Sequence, residues 1–324
     1  MDAAPAQPTK LVTIVCPVFN EEKAVPLFYE RLVKALASLE ARVRFEVLFV
    51  NNRSTDGTEA QVLALREKDP RVQLLTLSRN YGYQASISAG MRHASGDASV
   101  NIDVDCEDPP EMIPQFIERW LAGADIAYGI RARREEFVLM HWARKLFYRL
   151  TKRVSDHEIV LDMAEFFLID RRVKEYVLAT RSTFPFVRGQ VGFVGFKREG
   201  IAYKREKRII GETHYNLISA IRFGLAGILS SSTLPLRLLA YVGCVVFALD
   251  FLAAPALVVW SPQIRTEYLV RGFLTAFLLH LGWLVFSAGM LALYVARIYK
   301  DSIGLPLYVG DQKHSTIEVR KHHE

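Results

Sequence analysis

Short apolar runs alternate with stretches of helical spacing over roughly the first 130 residues. The runs 11–15, 45–50, 72–77, 100–104 and 125–128 have the length and continuity of strands buried on both faces. Between them, apolar residues return every three or four positions, as Val25, Phe28, Leu32, Leu36 and Leu39 do. That spacing predicts helices over 22–39, 58–68, 84–94 and 110–122. Strands alternating with helices specify a doubly wound α/β domain with a mostly parallel sheet. Ligands of such sheets sit beyond the carboxyl ends of the strands. The first, second and fourth runs each close on a polar cluster there, so a single site is expected at that edge.

The pattern then changes. Within 137–154, Leu139, Ala143, Leu146, Phe147, Leu150 and Val154 share one helical face, flanked by Arg144, Lys145, Arg149, Lys152 and Arg153. This is a basic amphipathic helix suited to a membrane surface. A second interface helix is expected over 216–233. Two apolar stretches, 238–260 and 272–296, are each long enough to cross a ~30 Å hydrocarbon core. Arg222 and Arg237 precede the first and Arg297 and Lys300 follow the second, while the connecting loop carries Arg265, Glu267 and Arg271. The positive-inside bias places the large domain and the C-terminus in the cytosol. The expected organisation is a disordered lead (1–9), an α/β domain (10–215), the interface helix, a transmembrane hairpin within 234–300, and a cytosolic tail (301–324).

Composition narrows the partners. A net charge of +6 suits phosphate-rich ligands or an anionic lipid surface. Nucleic acid is not expected, because no helix-turn-helix, zinc-finger or aromatic-basic signature accompanies the charge. Cys16, Cys106 and Cys244 lie far apart and form no CxxC, which argues against a disulfide framework and for a reducing compartment. The opening MDAAPAQPTK lacks the charge-then-apolar order of a cleavable leader.

Asp103-Val104-Asp105 closes the fourth run. On a strand, residues two apart project to one side, so both carboxylates would reach one ligand. Paired carboxylates completed by diphosphate oxygens suit Mg²⁺ or Mn²⁺, which neutralises a departing nucleoside diphosphate. Standing alone, so short a motif reads first as a solvated acidic turn.

It is accompanied by PVFNEE (17–22), NNRSTDGT (51–58), LSRNYGYQASISAG (77–90) and DVDCEDPPE (103–111), each following a strand. Further on come RGQVGFVGFKREGIAYKREKRIIGETHY (188–215), STLPLRLL (232–239) and YVARIYKDSIGLPLYV (294–309). Together these segments resemble the family-2, GT-A-fold glycosyltransferases of the polyprenyl-phosphate type, such as dolichol-phosphate mannose synthases and undecaprenyl-phosphate glycosyltransferases. The resemblance implies a Rossmann-like GT-A catalytic domain and an inverting, metal-dependent transfer from a nucleotide-diphosphate sugar, with UDP-sugars favoured, to a polyprenyl phosphate. It also implies membrane lipid as a partner and a tetramer as the assembly. By the same resemblance, Pro17, Phe19 and Glu21 line the nucleotide pocket and Asn51 faces the base. Ser54, Arg79 and Gln84 join them on the nucleotide sugar, and Asp103 approaches ribose and sugar. Asp105 and Glu107 would hold the metal, Arg205 and Arg208 would clamp phosphate, and Asp162 and Glu165 would lie near the acceptor phosphate.

Three positions depart from the family pattern. Asn51-Asn52 stands where two aspartates are usual, Glu107 replaces a common Gln, and Ala164-Glu165 replaces Gly-Asp. A catalytically lapsed homologue acting as a membrane scaffold, or a protein- or polymer-directed transferase, are the rival readings. The stretch 115–120 imitates the QxxRW of processive synthases with one residue too many, and Trp120 is expected in the core. His141, His314, His322 and His323 lack metal spacing and read as surface residues. Finally, Asp250 and His280 fall at matching depths of an antiparallel hairpin, so a contact between them, within one hairpin or between protomers, is expected; the equal alternative is a protonated Asp250 bonded to a backbone carbonyl, with His280 facing lipid or a neighbour.

Overall fold

The computed structural model describes residues 10–131, 163–179, 185–208, 233–260 and 265–320. The amphipathic segment 137–154, the segment 216–232, Asp162, His141, His322 and His323 lie outside the described residues. The described chain forms two compact units, one holding residues up to 208 together with 305–320, the other holding 233–304.

The first unit is built on β1 (Lys10–Val18), β2 (Val43–Asn51), β3 (Val72–Thr76), β4 (Ala98–Asn101), β5 (Ile126–Arg131), β6 (Met163–Asp170) and β7 (Arg198–Tyr203). They form one sheet in the order β3-β2-β1-β4-β6-β5-β7. The β1–β2, β2–β3, β1–β4 and β5–β7 pairs are parallel, whereas β6 runs antiparallel to both β4 and β5. The sheet is thus mostly parallel, and the start of β6 lies where the other strands finish. That reversal brings Glu165 to the ligand edge.

Helices cover both faces. Val12, Ile14 and Cys16 of β1 point to one side, against Val25, Phe28 and Leu32 of α1 (Ala24–Leu36) and Phe116 and Ile117 of α4 (Ile113–Leu121). Val15 points to the other side, toward Ala89 of α3 (Tyr83–His93). On that same side α5 (Arg171–Ala179) and α6 (Val187–Phe193) pack with α3 and β6. By contrast α2 (Thr58–Lys68) buries only Thr58 and Val62. Gly90 explains part of the 77–90 motif: a Cβ there would meet Val15 Cγ1 at 2.2 Å and Val50 Cγ2 at 2.9 Å, so α3 rests on the sheet only through glycine. Trp120 is buried, its Nε1–H donating to Asp170 Oδ2 at 2.9 Å, as a core residue should be.

One boundary corrects the sequence reading. The strand expected over 100–104 ends at Asn101. Ile102 N still donates to Val15 O at 3.1 Å, but beyond it the chain leaves the ladder. Asp103 and Asp105 therefore reach the site from a loop, and strand alternation does not orient them.

The segment 305–320, expected as a tail, packs on the sheet. It pairs the outer edge of β3 through a Leu77–Gly310 bridge and seats Tyr308 among Val15, Leu48 and Leu75.

The second unit holds α7 (Leu234–Trp260) and α8 (Thr266–Ile303), both long and apolar enough to cross a membrane. Phe251 and Phe273 on them are 72% and 76% exposed, as suits a hydrocarbon surround. Gly304, at φ 67°, ends α8 in the left-handed conformation that favours glycine.

Candidate functional site

Three loops at the carboxyl edge interlock through side chains binding backbone. Asn20 N donates to Ser54 Oγ at 3.0 Å, and Thr55 N returns a bond to Asn20 Oδ1 at 2.8 Å. Glu21 N donates to Thr58 Oγ1 at 2.9 Å, and Gly57 N to Glu22 Oε2 at 3.2 Å. The loops after β1 and β2 are thereby one body. The loop after β3 joins through Asn52, whose Nδ2 donates to Asn80 Oδ1 at 2.9 Å while its Oδ1 accepts from Tyr81 N at 2.9 Å. Asn52 uses both ends of its amide, which a carboxylate does not offer. Asn20, Arg53 and Cys106 have φ of 56°, 61° and 57°, so each of three site loops holds a non-glycine residue left-handed.

Asn51 is fully buried at the end of β2. Its Oδ1 accepts from Ser54 N at 2.9 Å and its Nδ2 faces Glu59 Oε2 at 3.3 Å. Pro17 is buried within β1, while Phe19 is 44% exposed at the loop entrance. Arg79 lies over the Tyr81 ring, 4.0 Å from its centroid. Gln84 meets β6 and the start of α6. Its Nε2 donates to Glu165 Oε1 at 3.1 Å and its Oε1 accepts from Val187 N at 3.0 Å, so it braces β6 against α6.

The acid loop is dense in charge. Tyr83 Oη donates to Asp103 Oδ1 at 2.7 Å. Burial, reinforced by the Asp105 charge, pushes the Asp103 carboxyl up to about 7. Asp105 Oδ1 accepts the Glu107 N–H at 3.0 Å. Two arginines from the segment after β7 answer these acids. Arg208 Nη2 meets Glu21 Oε1 at 2.5 Å, with its Nε 3.9 Å from Asp105 Oδ2. Arg205 pairs with Glu107, its Nε 3.7 Å from Asp108 Oδ1. Both Nε atoms are buried and find no hydrogen-bond partner among the described residues, the kind of donor an anionic oxygen satisfies. Burial raises the Glu21 carboxyl although Arg208 opposes it. Glu165 is also raised by burial, against the Arg188 charge, and its Oε2 finds no partner among the described residues. Glu21 from the loop after β1, Asp103, Asp105 and Glu107 from the acid loop, Glu165 from β6, and Arg205 and Arg208 from the segment after β7 thus reach the one edge.

Asp103, raised to about 7 first by burial and then by the Asp105 charge, and Asp105 itself offer the oxygen donors that a hard divalent cation takes. Asp105 fits that role with Asp103 beside it. Glu107 is engaged by Arg205 and serves a cation only in exchange for that pair. No cluster of three or more His, Cys, Asp or Glu side chains converges among the described residues. A cation there would draw its remaining ligands from diphosphate oxygens and water.

Sequence reasoning passed over Asp108. It is buried, accepts from the Tyr203 hydroxyl, and pairs with Arg131 Nη2 at 3.1 Å. Arg131 ends β5 and Tyr203 ends β7, so this carboxylate ties the acid loop to the far half of the sheet. Its place inside the 103–111 motif was the available signal.

Residues 13–177 match the family described as glycosyl transferase family 2. The chain is similar to an uncharacterized glycosyltransferase of Bacillus subtilis, YkcC, at 35% identity over 95% of both chains. It is 36% identical to a prophage bactoprenol glucosyl transferase homolog of Escherichia coli, over 92% of this chain and 97% of that one. The bactoprenol glucosyl transferase of Shigella phage SfV is 35% identical over the same shares. Among solved structures, glucosyl-3-phosphoglycerate synthase of Mycobacterium tuberculosis, crystallised with Mn²⁺ and UDP-glucose, aligns with TM-score 0.49 and 18% identity. That alignment covers 68% of this chain and 78% of the other.

Proposed function

The chain belongs to glycosyl transferase family 2, and from that premise we propose that it transfers a sugar from a nucleotide-diphosphate sugar to a polyprenyl phosphate at the cytosolic face of a membrane. The observation that carries this is Arg208 set between Glu21 and Asp105, which puts a guanidinium where the nucleotide loop and the acid loop meet. A diphosphate at that junction is an oxygen-rich dianion facing two forked cations with unsatisfied Nε donors. The relatives named for bactoprenol supply the acceptor class.

In this reading a phosphate oxygen of the acceptor attacks the anomeric carbon as its bond to the diphosphate breaks, inverting the centre and releasing a nucleoside diphosphate. The attacking oxygen is already anionic at neutral pH, so no strong base is required. Asn51 and Ser54 hold the base-side loop, Asp103 takes the ribose and sugar side, and Arg205 and Arg208 steady the departing diphosphate. Glu165 orients the acceptor phosphate, a role that the family resemblance also gives Asp162. Asp105, with Asp103 and Glu107 near, would hold a Mg²⁺ or Mn²⁺, which when bound would neutralise charge on the leaving group. The two apolar helices anchor the enzyme beside its lipid substrate.

The test uses the full chain in detergent, with UDP-glucose and undecaprenyl phosphate as probes. UDP release is expected only when both are present, and Asp105→Asn should lower it at least ~100-fold with the melting temperature unchanged. Release that ignores the lipid, or an Asp105→Asn enzyme with full turnover, overturns the reading.

A further inference from the structure

β3 is the last strand of the sheet, and its outer edge would present open backbone groups. The segment 305–320 closes that edge. Ser78 N donates to Val309 O at 2.8 Å, Asp311 N to Thr76 O at 2.7 Å, and Thr316 N to Leu74 O at 2.8 Å. In return Leu74 N donates to Thr316 Oγ1 at 2.8 Å and Thr76 N to Ser315 Oγ at 2.9 Å. Arg320 N ends the strap on His93 Nε2 at 3.0 Å. Side chains as well as backbone are used, so the register is specific.

From this anchored strap two side chains reach the loop after β2. Asp311 Oδ2 pairs with Arg53 Nη1 at 3.0 Å, and Arg53 is the residue held at φ 61°. His314 Nδ1 meets Glu59 Oε1 at 2.8 Å. A carboxylate only accepts, so His314 carries its proton on Nδ1. The other oxygen of Glu59 faces Asn51 Nδ2, and Asn51 Oδ1 is bound to Ser54 N. With an acceptor on one side and a donor on the other, the Asn51 amide has one orientation.

We propose that His314 and Asp311 are positioning residues for donor recognition: through Glu59 and Arg53, the strap fixes the Asn51 amide and the 51–57 loop that meets the nucleotide base. This rests on the reading of the 51–57 loop as the base side of the donor site. Asn51 is fully buried, so its locked amide acts on the base through that loop, holding the Ser54 N–H and with it the half-buried Ser54 in one position. The strap therefore sets selectivity among bases, and the Asn51 that departs from the family's Asp is held to a single face by Glu59.

The decisive measurements are made on the full-length protein in detergent, comparing His314→Ala, His314→Gln and Asp311→Ala with wild type. Amide exchange at Ser54 reports the loop without any nucleotide, and it should quicken about tenfold in His314→Ala while Leu74 and Thr76 stay protected. With UDP-glucose as donor, KM should rise about fivefold or more in His314→Ala, with kcat and the KM for undecaprenyl phosphate within twofold of wild type. The preference for UDP over GDP in binding should fall in parallel, and His314→Gln, which restores an N–H to Glu59, should recover most of it. Unchanged exchange at Ser54, or a His314→Gln as impaired as His314→Ala, overturns the inference. So does exchange that quickens with no change in donor KM. A wild type that binds neither UDP nor GDP defeats the functional reading and the selectivity claim with it, while exchange at Ser54 still judges the strap.

Discussion

His280 Nε2 stands 2.7 Å from Asp250 Oδ2, joining α7 to α8 at the depth where each sequence position implied a partner. The other ring nitrogen is 2.6 Å from Ala276 O, so the imidazole is held at both ends. Satisfying two polar groups with each other removes most of the cost of placing either in hydrocarbon. A double-mutant cycle with Asp250→Asn and His280→Ala, read as detergent-state stability, should show coupling of at least ~0.5 kcal/mol. Strictly additive losses would mean the contact does not hold the hairpin.

Asp103 makes stability depend on pH in a specific direction. Its carboxyl titrates at an ordinary 3.8 when unfolded and near 7 when folded. The folded chain therefore keeps a proton that the unfolded chain releases, and this contribution, full below pH ~4, is lost as pH passes ~7. Asp103→Asn removes the effect, so its melting temperature should gain on wild type between pH 5 and pH 8. The gain should be a few degrees, since ~1 kcal/mol moves a domain of this size by roughly 2–4 °C. Added Mn²⁺ should raise wild type more at pH 8 than at pH 6, and the variant less at both. Parallel melting curves across pH would contradict the assignment.

Arg205 and Arg208 differ from a solvated basic face because each guanidinium divides its contacts between two acids. Either alanine variant should lower turnover at least ~100-fold, and lysine should restore only part, because an ammonium lacks the planar fork. Arg208→Ala also removes the charge that holds the Glu21 carboxyl down, so that group should titrate higher in the variant. Full activity in both lysine variants would deny them a phosphate role.

Gly90 is a packing test independent of chemistry. A methyl group there must displace Val15, so Gly90→Ala should destabilise by about 1–3 kcal/mol in chemical denaturation. Combining it with Val15→Ala should cost less than the two changes summed, since the smaller residue opens the space. Additivity would show that the helix yields by some other movement.

The apolar pattern of the chain by itself determined five strands, the helices between them, two candidate spans and the edge at which chemistry gathers. Those signals are local: burial periodicity and the polar residues that stop a strand lie within about ten positions of each other. Even Asp103 and Asp105 were legible as a pair, although the loop that carries them was mistaken for a strand because Val104 prolongs the apolar run. What only the tertiary structure decided are contacts whose partners share no local pattern. Asp108 depends on Arg131, just past the run 125–128, and on Tyr203 from a strand that no expected run announced, and Gln84 turned out to face Glu165, 81 residues away. His314, unremarkable among surface histidines, reaches Glu59 across 255 residues because its segment happens to close the β3 edge. Hydrogen bonding at an open strand edge is satisfied by whatever backbone arrives there, and no periodicity in the arriving segment records which edge that will be.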